Sequence, residues 1–184
     1  MTLHHSDCVA LIRGINVGRG KRVAMADLRD MMAGLGYTNV RTLLNSGNVL
    51  FQSKRPNVAK MAASIEAAIN GACGFSAAVT VITAQELDLI VDENPLLHIV
   101  DDHAKHLVAF VTHPKHLETL RPMLEEAWTP NALGISERAA YLWCATGLLD
   151  SKFLQAFSRK AGATVTTRNW ATVLKLQAAS KETT

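Results

Sequence analysis

Residues 8–51 constrain the fold more tightly than any other stretch. A short apolar strand, Cys8-Val9-Ala10-Leu11-Ile12, runs into Arg13-Gly14-Ile15-Asn16-Val17-Gly18-Arg19-Gly20-Lys21-Arg22. Met25, Leu28, Met32 and Leu35 then recur at helical spacing, with Asp27, Arg29 and Asp30 off that face. Gly34 and Gly36 stop the helix. Two strands, 40–44 and 49–52, flank Asn45-Ser46-Gly47-Asn48, a hairpin signal because Asn and Gly tolerate the positive φ such turns need.

The order continues in kind. Pro56-Asn57 opens a helix whose expected buried stripe is Val58, Met61, Ile65, Ala68, Ile69 and Ala72, with Gly71 and Gly74 as stops. Residues 77–82 read as a strand. Thr83-Ala84-Gln85-Glu86 matches a capping box for a helix over 84–92. A second round follows: a strand at 107–111, and a helix from Pro114 with Leu117, Leu120 and Leu124 inside and a break near Arg121 before Pro122. Then come strands at 133–135 and 139–144, a helix over 151–161, a last strand at 163–166 and a helix over 170–179. The fold class expected is α+β, two tandem ferredoxin-like β-α-β-β-α-β halves, each with an appended helix. The halves fall at 1–93 and 106–184, joined by a polar linker over 94–105. The duplication lies in the pattern of elements and not in a residue-level repeat.

Composition narrows the function classes. With 48% hydrophobic residues the chain buries a real core, and a net charge of +3 permits anionic partners without demanding them. Aromatics at 5% argue against long stacking platforms for single strands. Cys8, Cys73 and Cys144 are far apart, odd in number and outside any CxxC, as buried reduced thiols would be. The polar start Met1-Thr2-Leu3-His4-His5-Ser6-Asp7 is not a signal peptide, and no apolar run reaches the roughly 20 residues of a membrane span. The expectation is a cytoplasmic protein without membrane attachment; nothing in the sequence specifies an oligomeric state.

The candidate ligand contacts are basic or polar groups beside glycines and helix starts. Arg13, Gly14, Asn16, Gly18, Lys21 and Arg22 form a glycine-rich basic loop before a helix, where backbone amides and the dipole favour a phosphate or carboxylate. The loop fails the P-loop spacing: Ile15 stands where the first glycine belongs, and Arg22 replaces Ser or Thr. The plain alternative is a basic surface loop. Asn45, Ser46 and Asn48 belong to the turn, and by themselves read as turn residues. Arg168-Asn169-Trp170 offers a bidentate anion donor, an amide and a flat aromatic; a cap by Asn169 with Trp170 in the core accounts for all but Arg168. Ser151 and Lys152 start another helix; capping by Ser151 is preferred to a Ser–Lys pair, because adjacent helical residues do not face each other. His98, His103, His106, His113 and His116 fit no zinc spacing, so no metal site is expected. No cofactor motif occurs, and no catalytic residue is assigned.

These motifs carry a resemblance. Arg13-Gly14-Ile15-Asn16-Val17-Gly18, Met25-x-x-Leu28-Arg29, Ser46-Gly47-Asn48-Val49-x-Phe51 and Thr167-Arg168-Asn169-Trp170-x-Thr172-Val173-x-Lys175-Leu176 together resemble the bacterial family catalogued as domain of unknown function 1697. The resemblance spans nearly the whole chain. It implies a two-part α+β fold and carries no biochemical activity with it. Three departures stand out: Gly18-Arg19 for the family's Gly-Gly, Ala24 for its Pro before the helix, and Leu149 for the second glycine of its Gly-x-Gly-x-Ser-Lys run at 147–152.

The reading favoured on these grounds is a module binding an anionic ligand: a nucleotide, a phosphorylated metabolite or a nucleic-acid backbone. One alternative is an enzyme acting on a phosphorylated substrate, with Asp27, Ser46 and Lys152 as candidates should the fold bring them together. The other is an assembly or adaptor module with no small ligand.

Overall fold

The computed structural model describes residues 6–182 apart from 19, 55 and 150. Residues 1–5 of the polar start, Arg19 of the basic loop and Asp150 of the 147–152 run therefore lie outside the described residues. The elements, in chain order, are β1 (Ser6–Ile12), α1 (Met25–Gly34), β2 (Thr38–Leu43), β3 (Asn48–Ser53), α2 (Val58–Cys73), β4 (Val79–Thr83), α3 (Ala84–Asp92), β5 (His106–Val111), α4 (Lys115–Leu120), β6 (Ala132–Ile135), β7 (Ala139–Trp143), α5 (Lys152–Ala161), β8 (Val165–Asn169) and α6 (Trp170–Lys181). Residues 93–105 form turns with neither helix nor strand. The protein is α+β, with two four-stranded antiparallel sheets and six α-helices among the described residues.

Two compact units divide the chain. One runs to Leu87 and takes in the residues from Leu176 on; the other is Asp88–Lys175. In the first unit the sheet order is β2-β3-β1-β4. Central β1 is buried from Cys8 to Ile12, which is why it reads as an unbroken apolar run. Leu28 and Met32 of α1, with Met61, Ile65 and Ile69 of α2, pack on Cys8, Ala10, Ile12, Val49 and Phe51. Each fully buried Leu, Ile, Met, Val or Phe among them contributes about 1.5–3 kcal/mol. In the second unit the order is β6-β7-β5-β8, and Leu117, Leu120, Phe153 and Phe157 cover Leu107, Ala109, Ala140 and Leu142.

The structure corrects several details. Leu124 is 42% exposed, and Met123 is buried instead. Pro122 ends the α-helix, the chain tightens into a 3-10 turn over Arg121–Glu125, and the tighter winding brings residue 123 round to the core. Ala72 is exposed, because after Ile65 and Ile69 the inward face of α2 falls four residues on, at Cys73, which packs partly buried against the core. The last strand is Val165–Asn169 and not 163–166, since Val108 and Leu107 of β5 pair with Arg168 and Asn169. In the β2–β3 turn positive φ falls on Leu44 (59°) and Gly47 (77°), and not on Asn45.

Candidate functional site

β1 ends where three segments converge. The Ile12 amide donates to the Gly47 carbonyl at 2.8 Å, and the Arg13 amide to the Ala78 carbonyl at 2.8 Å. The β2–β3 turn and the approach to β4 therefore flank the mouth of the basic loop. Gly47 sits so close that a Cβ there would lie 2.9 Å from Ile12 Cβ, the Ile12 carbonyl oxygen and Ile15 Cγ1. The two motifs singled out in the first half share one end of its sheet.

The loop over 13–24 holds its own shape. Gly14, Asn16 and Gly18 all have positive φ, at 68°, 57° and 59°. Asn is the non-glycine residue that adopts this region most readily. Its side chain grips one residue across the loop: the Val23 amide donates to Oδ1 at 3.0 Å, and Nδ2 donates to the Val23 carbonyl at 2.8 Å. The Asn16 amide also donates to the Lys21 carbonyl at 2.7 Å. Ile15 and Val23, on either side of this clasp, are buried in the first core. Lys21 Nζ donates to the Ser76 carbonyl and stands 5.5 Å from the Phe75 ring centroid, and Arg22 Nη2 donates to the Gly18 carbonyl. Arg13 is half-buried at the loop's start. At its far end α1 begins behind Ala24, which gives its first turn no side-chain cap. Asn57, Ser151 and Asn169 do cap α2, α5 and α6.

The turn is equally fixed. Asn48 is fully buried, and its Nδ2 donates to the Leu43 carbonyl and to Ser46 Oγ, both at 3.0 Å. Asn45 is exposed at the tip. Asn16→Ala removes both side-chain bonds to Val23 and is expected to cost about 1–3 kcal/mol. Urea unfolding measures that loss, and amide exchange over residues 14–23 should quicken with it.

The remaining candidates belong to the second unit, and there the cap explanation fits most of them. Ser151 Oγ accepts from the Leu154 amide at 3.2 Å, and Asn169 Oδ1 from the Thr172 amide at 2.9 Å. Trp170 is buried. Lys152 is exposed. Arg168 stands in β8, its Nη1 donating to the Thr167 carbonyl at 2.9 Å. Burial pulls its guanidinium down to about 10, so it stays charged at neutral pH. An open depression of about 420 Å³ lies along α5, lined by Leu148, Ser151, Leu154, Gln155, Ser158 and Arg159. Leu149, at the family's second glycine position, is 90% exposed.

Other groups are occupied structurally. Burial raises the thiols of Cys8 and Cys144 to about 11, and all three cysteines are free. His113 and His116 stand edge to face, with 6.2 Å between ring centroids. No cluster of three or more His, Cys, Asp or Glu placed to hold a metal occurs among the described residues. No helix among them is long and apolar enough to cross a membrane. Sequence reasoning missed the groove of about 490 Å³ beside the loop, between Ala63, Glu66, Ala67 and Asn70 of α2 and residues 76–78. Its signal was the run of small residues on the outer face of α2.

Comparison with known proteins agrees with this architecture. The solved structure of conserved bacterial protein SP0830 from Streptococcus pneumoniae superposes with a TM-score of 0.78 at 20% identity, over 96% of this chain and 99% of that one. Comparison with curated proteins gives no match. A family profile matches residues 6–141, most of the chain. The chain belongs to the family described as Protein of unknown function (DUF1697).

Proposed function

We propose that the chain is an anion-binding module whose site is the 13–24 loop together with the 44–48 turn. The observation that carries this reading is the clasped loop beside the uncapped first turn of α1. Gly14 and Gly18 support it, because their open faces leave the backbone accessible to a ligand: a Cβ on either would meet nothing within 4 Å. Arg13, Lys21 and Arg22 supply positive charge, and the turn residues Asn45, Ser46 and Asn48 border the site. Ser151 and Lys152 at the start of α5, with Arg168 and Asn169 at the end of β8, stand as a second candidate contact set in the other unit. The ligand class is a nucleotide, a phosphorylated metabolite or a nucleic-acid backbone, met in the cytoplasm.

The same reading takes each half as a ferredoxin-like unit, 1–93 and 106–184, with 94–105 as the connection. The matching sheet orders β2-β3-β1-β4 and β6-β7-β5-β8 support it. The halves differ where the ligand would sit: residues 13–24 join β1 to α1, whereas only residues 112–114 join β5 to α4. A second reading, an assembly module, draws on Val17 and Leu44, which are 65% and 48% exposed in the loop and the turn.

Thermal melting against inorganic phosphate, nucleotides, sugar phosphates and short oligonucleotides tests the proposal. A ligand at about a hundred times its dissociation constant adds roughly 2.7 kcal/mol of stability. Arg13→Ala and Arg22→Ala should each weaken that ligand about 10- to 100-fold, the worth of one charged hydrogen bond, with the circular dichroism unchanged. A nucleic-acid backbone would reveal itself by a steep loss of affinity with salt. No shift with any anion refutes the proposal and leaves the assembly reading.

A further inference from the structure

Side chains hold the segment from Ile90 to Ile99 against the second sheet. Tyr141 on β7 donates its hydroxyl to the Ile90 carbonyl at 2.7 Å, and Arg138 pairs with Glu93. Pro95 packs on Gly134 of β6 so closely that a Cβ there would lie 2.5 Å from Pro95 Cγ, and Leu96 is buried beside it. Between these contacts stands a wholly buried imidazole, His106 at the start of β5. Its Nδ1 is 3.0 Å from the Leu142 carbonyl and its Nε2 is 2.7 Å from Asn94 Nδ2.

The backbone decides which atoms carry protons. The Leu96 amide donates to Asn94 at 3.1 Å, so the atom facing it is Oδ1 and the amide group Nδ2 must face His106. Nδ2 is a donor, so Nε2 accepts. The Leu142 carbonyl is an acceptor only, so Nδ1 carries the ring's proton. The ring is thereby neutral, in one tautomer, with both nitrogens satisfied. A second proton on Nε2 would set N–H against N–H at 2.7 Å. Turning the Asn94 amide over would relieve that clash only by setting its NH2 against the Leu96 amide.

We propose that Asn94 and His106 form an acid-released latch that holds the strap of residues 93–99 on the second sheet. The groups that face the ring are Asn94 from the strap, the Leu142 carbonyl from β7 and the indole of Trp170 from α6, whose centroid lies 5.4 Å away. The charge that acts on it is that of His103, which opposes a second positive charge. Burial is the largest influence and lowers the ring's pKa below its ordinary 6.5; the Leu142 bond works the other way, and His103 adds to the lowering. With the latched value below the open one, the open strap binds more protons as pH falls below about 6.5. Latch stability is complete above that value and is lost on acidification. Release frees the buried Leu96 side chain and the face of β6 at Gly134.

Amide hydrogen exchange of Leu96 and Ile99, referenced to β7 amides and corrected for intrinsic rates, tests the latch at about pH 7.5 and about pH 5. Strap protection should fall by up to about tenfold for each unit separating the latched and open pKa values, while β7 holds. His106→Gln keeps an acceptor and a donor but does not titrate, and should abolish the pH dependence. Should that variant not fold, Asn94→Ala should expose the strap already at about pH 7.5 and raise the His106 pKa measured by NMR toward 6.5. Strap protection that follows β7 at both pH values, a pH dependence that survives in His106→Gln, or an Asn94→Ala variant with full strap protection overturns the proposal.

Discussion

Gly47→Ala should destabilise the protein by about 2–5 kcal/mol, far more than an ordinary turn substitution. Two costs combine. The residue has φ +77°, where an L side chain costs about 1–2 kcal/mol. Its new methyl would also meet Ile12 Cβ, the Ile12 carbonyl and Ile15 Cγ1 at 2.9 Å, an overpacking worth about 1–3 kcal/mol. The control is Gly14→Ala, which has a similar φ of +68° but open space around it, and should cost only about 1–2 kcal/mol. Chemical unfolding midpoints at constant m-value measure both. Equal losses in the two variants would mean that the turn does not press on the loop as described.

Phe51→Ala should cost about 3–5 kcal/mol, a large part of the roughly 5–15 kcal/mol that holds a domain folded. Phe51 is buried in β3, opposite Cys8 of β1, and its ring lies 4.6 Å from that of Tyr37. Truncation opens a cavity under both α1 and α2 and forfeits the ring pair, itself worth about 0.5–1.5 kcal/mol. Phe51→Leu, which keeps most of the volume, should recover more than half of the loss in the same denaturation experiment. A loss below about 1 kcal/mol in Phe51→Ala would be inconsistent with a close-packed core at this position.

The order of elements was legible because each obeys local rules. Met25, Leu28 and Met32 keep helical spacing, Asn57 and Ser151 cap as Asn and Ser do, and the apolar run at Cys8–Ile12 is a central strand. Misreadings came where distant contacts override local preference. Leu44 takes positive φ because the turn must close between β2 and β3 with Asn48 buried inside it. Arg168 joins β8 because β5 lies beside it to pair with. In the loop the residue types were visible and their work was not. Asn16 stood out as a candidate ligand contact, while its clasp of Val23, a partner seven residues on, was hidden because no spacing rule marks that pair. His106 drew notice only as one of a run of histidines, because its partners Asn94 and Leu142 are remote in sequence. The convergence of loop and turn rests on antiparallel pairing of β1 with β3, which sets Leu11 beside Asn48.

Amide chemical shifts recorded by NMR during a titration with inorganic phosphate, then with a nucleotide, address the anion site most directly. Saturable shifts gathered at residues 14–27 and 44–48, which in Arg13→Ala need about 10- to 100-fold more ligand to saturate, are the expected result. Shifts that do not saturate, or that gather elsewhere on the protein, would contradict it.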